Sequence, residues 1–557
     1  MIQSKGFFRR SLVTFFLLPI VLHSQVQLRD TIISWQHHMF ELNDDYSVNT
    51  YSTNDNDIQQ VQFSGKVIEN ELIRLVVVPE YGARIISFVY KPTNHEYLYQ
   101  SECGSPYGMN DGNFYYDWLM VYGGIFPTFP EPEHGKTWLL PWNFNVEENT
   151  GDSVIISMEY TDTTMFDNTP GQFNNGITNI TCRIEVGVYM GSSLWDFNVS
   201  LKNNTENDVN YEYWTCTTLT PGSNIGNTGS PLNSEMVVPI ENYEAAWSPG
   251  NWIGNYGSLY DFTNINYLSE WDDMGIAYAN NLVDNYWGVI NHDNEEGIFR
   301  ISENIETPGM KFWTWGKYNV DNDLYDFSNG GKDNYIELWA GVSDAFFTDA
   351  ILSSLEEISW NEAYCPTVNL AGITKINNQL AVNVGWNQDN KSLYYELLAF
   401  NPNLDYRVNM YLTGENNYPV IDNTIYASAL GNTDEFIMDY IGNGNYTIGF
   451  EVYDQNDELI LFAEKDISIT TTGTDDLLAA NGNHNSMTII SKGNRKVNIS
   501  MDVVENYKLQ IFNISGQLVL NSNFTGASLN AFLPSNGIYI VNVVGEKSSY
   551  SDKIIIN

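Results

Sequence analysis

Histidine is scarce in this chain, seven residues in 557. One of them stands in a stretch built unlike the rest. Residues 109–142 (MNDGNFYYDWLMVYGGIFPTFPEPEHGKTWLLPW) gather three Trp, three Tyr and three Phe around a Gly-Gly pair, four prolines, four carboxylates and His134. Gly and Pro at this density exclude a regular helix or a central strand, and the aromatic content is too high for a solvated linker. Such a surface suits a sugar. Ring faces of Tyr116 and Trp118 would take the C–H faces of a pyranose, and carboxylates such as Glu133 would take its hydroxyls. The competing reading is a packed Ω-loop, with the aromatics in a core and His134 capping a turn.

A second chemical group lies far along the chain in YIELWAG. Glu337 sits between Ile336 and Leu338. If those two face a core, strand alternation turns Glu337 to the other side, either a binding cleft or a solvated face. Arg84, in the turn GARI, would hold substrate hydroxyls or a carboxylate; its alternative is a structural ion pair. Trp313 and Trp315 (KFWTWG) alternate with Thr314 and share a face. With Trp339, Trp214 and Tyr213 they complete the candidate substrate-binding aromatics, most of which must be core, since two or three lining residues suffice for a carbohydrate. His292 (NHDNEEG) reads as a turn histidine and His95 as a surface residue of a hairpin. Asp321, Asp323, Asp326 and Asp333 flank a Gly-Gly in an oxygen-rich loop that could hold Ca²⁺, although the spacing is not that of an EF-hand; no other cofactor is indicated.

These groups need a large scaffold. A hydrophobic content of 43% in 557 residues is ample for several cores. The balance of 25 Lys+Arg against 69 Asp+Glu, a net charge of −44, disfavours nucleic acid and anionic membranes as partners. At the N-terminus, Lys5, Arg9 and Arg10 precede an apolar run over residues 11–22, the pattern of a secretory signal cleaved after Ser24. No other run approaches the length of a membrane span, so the mature protein is expected to be soluble. Export permits disulfides among Cys103, Cys182, Cys216 and Cys365, in any of three pairings; buried free thiols are equally compatible.

The scaffold reads as β throughout. Residues 25–60 form an arm or edge strand. From residue 61 onward, short β-branched and aromatic runs bounded by Gly, Pro and Asn recur at 72–78, 84–90, 96–99, 153–160, 179–189, 194–202, 210–218, 284–291, 297–302 and 334–342. Residues 346–355 are the best candidate for a helix. Residues 61–366 are therefore one large antiparallel domain. A β-sandwich follows at 367–475, then a linker at 476–486 and a last β module at 487–557.

Two segments resemble known families. The tail is similar to the C-terminal sorting domain of the type IX secretion system of Bacteroidetes, on residues 511–518 (IFNISGQL), 533–544 (LPSNGIYIVNVV) and 553–557 (KIIIN). That resemblance implies the type IX secretion machinery as a partner and release to the exterior or attachment to the cell surface. The main domain resembles the galactose-mutarotase-like supersandwich, on residues 69–88 (ENELIRLVVVPEYGARIISF), 123–134 (GGIFPTFPEPEH), 335–341 (YIELWAG) and 359–366 (SWNEAYCP). This implies an all-β chain: a large antiparallel supersandwich and two small β-sandwich domains. It also implies a carbohydrate ligand, with His134 as general acid and Glu337 as general base. The chain departs from that family where a second histidine is expected: residues 211–218 (YEYWTCTT) carry none, and Tyr213 or Trp214 stands there. The implied function is a secreted protein acting on an oligo- or polysaccharide by epimerase-like, lyase or hydrolase chemistry. For elimination, Arg84 and Tyr213 would serve. The alternative is a non-catalytic glycan-binding protein.

Overall fold

The computed structural model describes residues 25–42, 48–51, 55–101, 103–104, 123–130, 135, 137, 140–163, 176–224, 230–317, 335–414, 416–438, 441–470, 487–491, 495–545 and 549–556. The candidate residues Tyr116, Trp118, Glu133 and His134 lie outside them, as do the acidic loop from Asp321 to Asp333, the signal and the linker. Two compact units are formed: Met1–Asp439 with Asn445–Ile467, and Tyr440–Gly444 with Ser468–Asn557.

In the first unit, alternating sequence builds two large sheets. A thirteen-stranded sheet runs from Leu259–Asp261 through Asn242–Trp247, Gly275–Asn280, Gly309–Thr314, Ile336–Gly341 and Trp214–Asn224 to Ile58–Glu69 and Gln27–His38. An eight-stranded sheet runs from Asn143–Asn149 through Trp195–Asn203 and Glu357–Val368 to Ser234–Val237. Every second residue of Trp195–Asn203 is buried, as a strand with one face on a core requires. The facing side chains of both sheets join in one core: Phe88, Phe312 and Leu338 from the first, Ile184, Phe197 and Ile298 from the second. This is the expected all-β supersandwich.

A polar clamp crosses that core. Glu362, wholly buried, accepts from Arg300 Nε at 2.8 Å, Thr215 Oγ1 at 2.8 Å, Trp360 Nε1 at 3.0 Å and the Tyr364 hydroxyl at 3.0 Å. Thr215 belongs to the thirteen-stranded sheet and the other three to the eight-stranded one, so one saturated carboxylate ties the sheets together.

Several expectations change. Within the stretch read as an arm or edge strand, Gln27–His38 is a strand that pairs along its whole length with Ile58–Glu69. Residues 346–355 form no helix. Phe347 and Leu355 have φ of 62° and 59°, outside the helical region, and Ala350–Leu352 pairs with Val209–Tyr211. The single strand expected at 210–218 is two, because the chain leaves one sheet at Tyr211 and enters another at Trp214. His95 is not a free surface group; its Nδ1 lies 2.5 Å from Glu296 Oε1. Cys182, Cys216 and Cys365 are buried free thiols.

Two four-stranded sheets follow, one built on Leu380–Asn387 and Ser392–Ala399, the other on Asp405–Thr413 and Gly444–Tyr453. The boundary expected after Pro366 falls inside the Glu357–Val368 strand. Phe299 and Cys365 share a hydrophobic cluster with Ile376, Leu398 and Phe400, so this sandwich is docked by apolar contact on the eight-stranded sheet. The second unit is a five-stranded sheet around Val497, Leu509, Ile511, Val541 and Val543. The pairing of its long Lys496–Asn513 strand with Leu518–Phe532 shifts register between Ser500 and Glu505. Among the described residues no helix is long and apolar enough to cross a membrane.

Candidate functional site

The site is built on the face of the thirteen-stranded sheet turned away from the core. In Ile336–Gly341, Ile336, Leu338 and Ala340 belong to the core, so Glu337 and Trp339 point the other way. In Gly309–Thr314, Met310 and Phe312 take the core and leave Lys311 and Trp313 outside. Register brings the two sets together: Trp313 stands opposite Glu337, and Lys311 opposite Trp339. Directly opposed residues of an antiparallel pair share a face.

Glu337 is 6% exposed. Its Oε2 accepts from Trp339 Nε1 at 2.8 Å and lies 3.8 Å from Lys311 Nζ. The ammonium in turn stands over the Trp339 ring, 3.7 Å from its centroid, and 4.7 Å from that of Phe346. Burial raises the carboxyl pKa above the ordinary range, against the opposing pull of Lys311 and the Trp339 hydrogen bond. The Tyr335 hydroxyl approaches Glu337 without a well-aligned hydrogen bond. The site thus offers a carboxyl with raised proton affinity, one fixed N–H donor and an adjacent cation.

Aromatic rings surround this group. Trp313 is half-buried and meets Trp315 edge to face at 4.6 Å. Tyr99 stacks on Tyr335 at 4.1 Å. Trp214 is wholly buried on the same face, packed edge-on against Phe346 at 4.9 Å. Its ring occupies the room left by Gly341, where a Cβ would come within 2.4 Å of it. Trp214 is therefore a support beneath the site. The motif Glu-x-Trp recurs here, since Trp214 Nε1 donates to Glu212 Oε2 at 3.2 Å.

Arg84 is wholly buried beside this face. Its Nη1 donates to Gly123 O at 2.8 Å, and its guanidinium lies 3.7 Å from the centroid of Phe126. Burial lowers its pKa to about 10. Where the sequence suggested a grip on substrate, the structure shows Arg84 gripping the Gly123–Gly124 turn. Both glycines have positive φ, and a Cβ on either would fall within 2.3 Å of a backbone oxygen. Tyr213 is placed on the opposite side of the sheet. It is wholly buried in the intersheet core, 5.0 Å from Trp360, because the chain crosses between sheets at that point.

Of the described candidates, the structure brings Glu337, Trp313, Trp315, Trp339 and Trp214 to one face and separates Tyr213 from them. Sequence reasoning missed Lys311. Its signal was present: Lys311 precedes Trp313 and Trp315 at the same two-residue step. It also missed Cys216, buried opposite Trp339, whose thiol pKa burial and then Glu337 push well up. Such a thiol is inert. Among the described residues no group of three or more His, Cys, Asp or Glu is placed to hold a metal ion.

Comparison with known proteins is informative at one end of the chain. No curated protein sequence matches. Among solved structures, a TPR-domain containing protein from Parabacteroides distasonis is 16% identical with a TM-score of 0.50, covering 62% of this chain. The chain spans 55% of that protein's length, and the likeness is one of fold alone. A galactose mutarotase-like protein from Clostridium acetobutylicum is 10% identical over 54% of this chain and 95% of its own, with a TM-score of 0.38. One from Lactobacillus casei is 12% identical over 54% and 99%, with a TM-score of 0.36. Residues 493–557 match the secretion system C-terminal sorting domain, which makes this a secreted or cell-surface protein bearing a type IX sorting tail.

Proposed function

We propose that this is a secreted carbohydrate-active protein that takes a glycan against the Trp313–Glu337 face, with Glu337 as the group that moves a proton. The observation that carries the reading is the setting of Glu337. It is a buried carboxyl with a raised pKa, held by Trp339, neighboured by Lys311 and set opposite the half-buried Trp313. A raised carboxyl is suited to accept and return a proton near neutral pH. Trp313 offers a ring face for the apolar side of a sugar. His134, outside the described residues, is the partner acid that the family resemblance supplies.

The test incubates the secreted chain with plant and marine polysaccharides and follows reducing ends together with absorbance of unsaturated uronides. Product formation by the wild type that falls at least about 100-fold in Glu337→Gln, with binding retained, supports the proposal. Equal turnover in both proteins contradicts it.

A second reading, a non-catalytic glycan binder, is favoured by two observations. The Glu337 Oε2 is already engaged by Trp339 and Lys311, and the Trp214–Asn224 strand presents no imidazole. Retention of a polysaccharide without any product in the wild type would select it.

A further inference from the structure

The row of residues that contains Glu337 continues to the edge of the sheet. Thr218, Glu337, Trp313 and Ile276 are successive cross-strand partners, and Ile276 is paired with Trp247. The last step contains an irregularity. One extra residue between Ala245 and Trp247 sets both Ala246 and Trp247 against Ile276. Ala245 is in the intersheet core and Ala246 packs on the outer-face cluster, so the bulge turns Trp247 onto the face of Glu337.

Exposure rises along this row. Thr218 and Glu337 are buried, Trp313 and Ile276 half-buried, and Trp247 is 50% exposed. The outermost strand, Leu259–Asp261, pairs only with Asn242–Glu244 and leaves the Trp247 end of its neighbour uncovered. The backbone around Trp247 is nonetheless held. Gly257 N donates to Ala245 O at 2.8 Å, Trp252 Nε1 donates to Met274 O at 2.8 Å, and Trp252 meets Trp271 edge to face at 5.4 Å. A large exposed indole on a held edge, continuous with a candidate site, is a ready platform.

We infer that Trp247 is a distal sugar-binding platform and that the ligand is an extended neutral glycan lying across the strands. The inference rests on the proposed role of the Glu337 face. Three strand steps separate Trp247 from Glu337, about 14 Å at the usual strand spacing. That spacing is close to the length of one pyranose ring in an extended β-linked chain. A ligand with a ring at Glu337 therefore has further rings over Trp313 and Trp247. Neutrality follows from charge. The Lys311 ammonium is buried 3.8 Å from Glu337 Oε2, and the chain carries a net −44.

The test measures affinity of the full secreted chain for cello-, laminari- and manno-oligosaccharide ladders of one to six units by titration calorimetry, beside Trp247→Ala and Trp247→Phe, with circular dichroism to confirm folding. Wild-type affinity is expected to rise with length. Trp247→Ala is expected to lose about tenfold on the longest member that binds and nothing on the shortest, and Trp247→Phe to recover most of the loss. Wild-type binding that is flat in length, or a Trp247→Ala loss equal at every length, overturns the distal platform and leaves the Glu337 site standing. Absence of binding at any length in all three ladders overturns the neutral-glycan assignment. If the polysaccharide panel is also neither bound nor processed, the proposed function falls with it.

Discussion

The indole N–H of Trp339 donates to Glu337 Oε2 across 2.8 Å, from two residues along the same strand. The same two-residue step relates Trp214 to Glu212, in the link that leads into the adjacent strand, at 3.2 Å. A strand puts residues i and i+2 side by side on one face, so Glu-x-Trp is a local device for fixing a carboxylate rotamer. Trp339→Phe keeps the packing and removes the donor. The hydrogen bond favours the ionised carboxylate, so its loss raises the Glu337 pKa further. Turnover should fall roughly tenfold, and the ascending limb of the pH–rate profile should move to higher pH. An unchanged profile would show that the hydrogen bond does not govern Glu337.

Lys311 and Glu337 are both buried, so removing one strands the other. Lys311→Met should destabilise the chain by about 3 kcal/mol near pH 8 in denaturant melts, and by less near pH 5. The sign follows from the raised pKa of Glu337. A carboxyl whose folded pKa is raised contributes stability below the ordinary carboxylate range and loses it as pH rises through the folded value. Without Lys311 that loss steepens. Equal destabilisation at both pH values would contradict the pairing.

The Arg300–Glu362 pair is sealed from water, with side chains 1% and 0% exposed. Arg300→Met leaves Glu362 buried without its cation and should cost about 3–5 kcal/mol. The double variant Arg300→Met/Glu362→Leu should cost less than Arg300→Met alone. Additive costs would mean the two are not coupled.

His292 links two carboxylates, with Nε2 2.8 Å from Glu235 and Nδ1 3.0 Å from Glu295. The Tyr267 hydroxyl also donates to Glu235, and Glu270 lies near Tyr267. The Glu235 hydrogen bond raises the imidazole pKa; burial opposes it and Glu295 reinforces it. A raised imidazole contributes stability below its ordinary pKa and loses it as pH rises through the folded value. The melting temperature should therefore fall across the upper imidazole range in the wild type and fall less in His292→Gln. Identical pH slopes would refute the link.

Much of this was legible in the sequence because period-2 patterning is a local signal. Arg84–Tyr90 has the bounds expected from sequence, and Ser153–Thr161 falls within a residue of its own. The facing of Glu337 followed from Ile336 and Leu338 alone. What alternation could not give was a change of sheet. Residues 210–218 read as one strand, yet the chain pairs with Ala350–Leu352 up to Tyr211 and joins the thirteen-stranded sheet only at Trp214. Residues 346–355 read as a helix because the run is short and its cross-chain partner, Val209–Tyr211, is more than a hundred residues away. The Trp247 bulge was invisible for the same reason, since a bulge is defined by the opposing strand.

The most direct test of the Glu337 face is retention of the secreted chain in affinity gels cast with neutral and acidic polysaccharides, comparing wild type with Trp313→Ala. Trp313 is half-buried opposite Glu337, so its loss removes a ring platform and leaves the carboxyl in place. The wild type is expected to be retarded by at least one polysaccharide, and Trp313→Ala to lose about tenfold in affinity for it. Equal retardation of the wild type and Trp313→Ala would place the glycan elsewhere, and no retardation of the wild type would remove the glycan from this face.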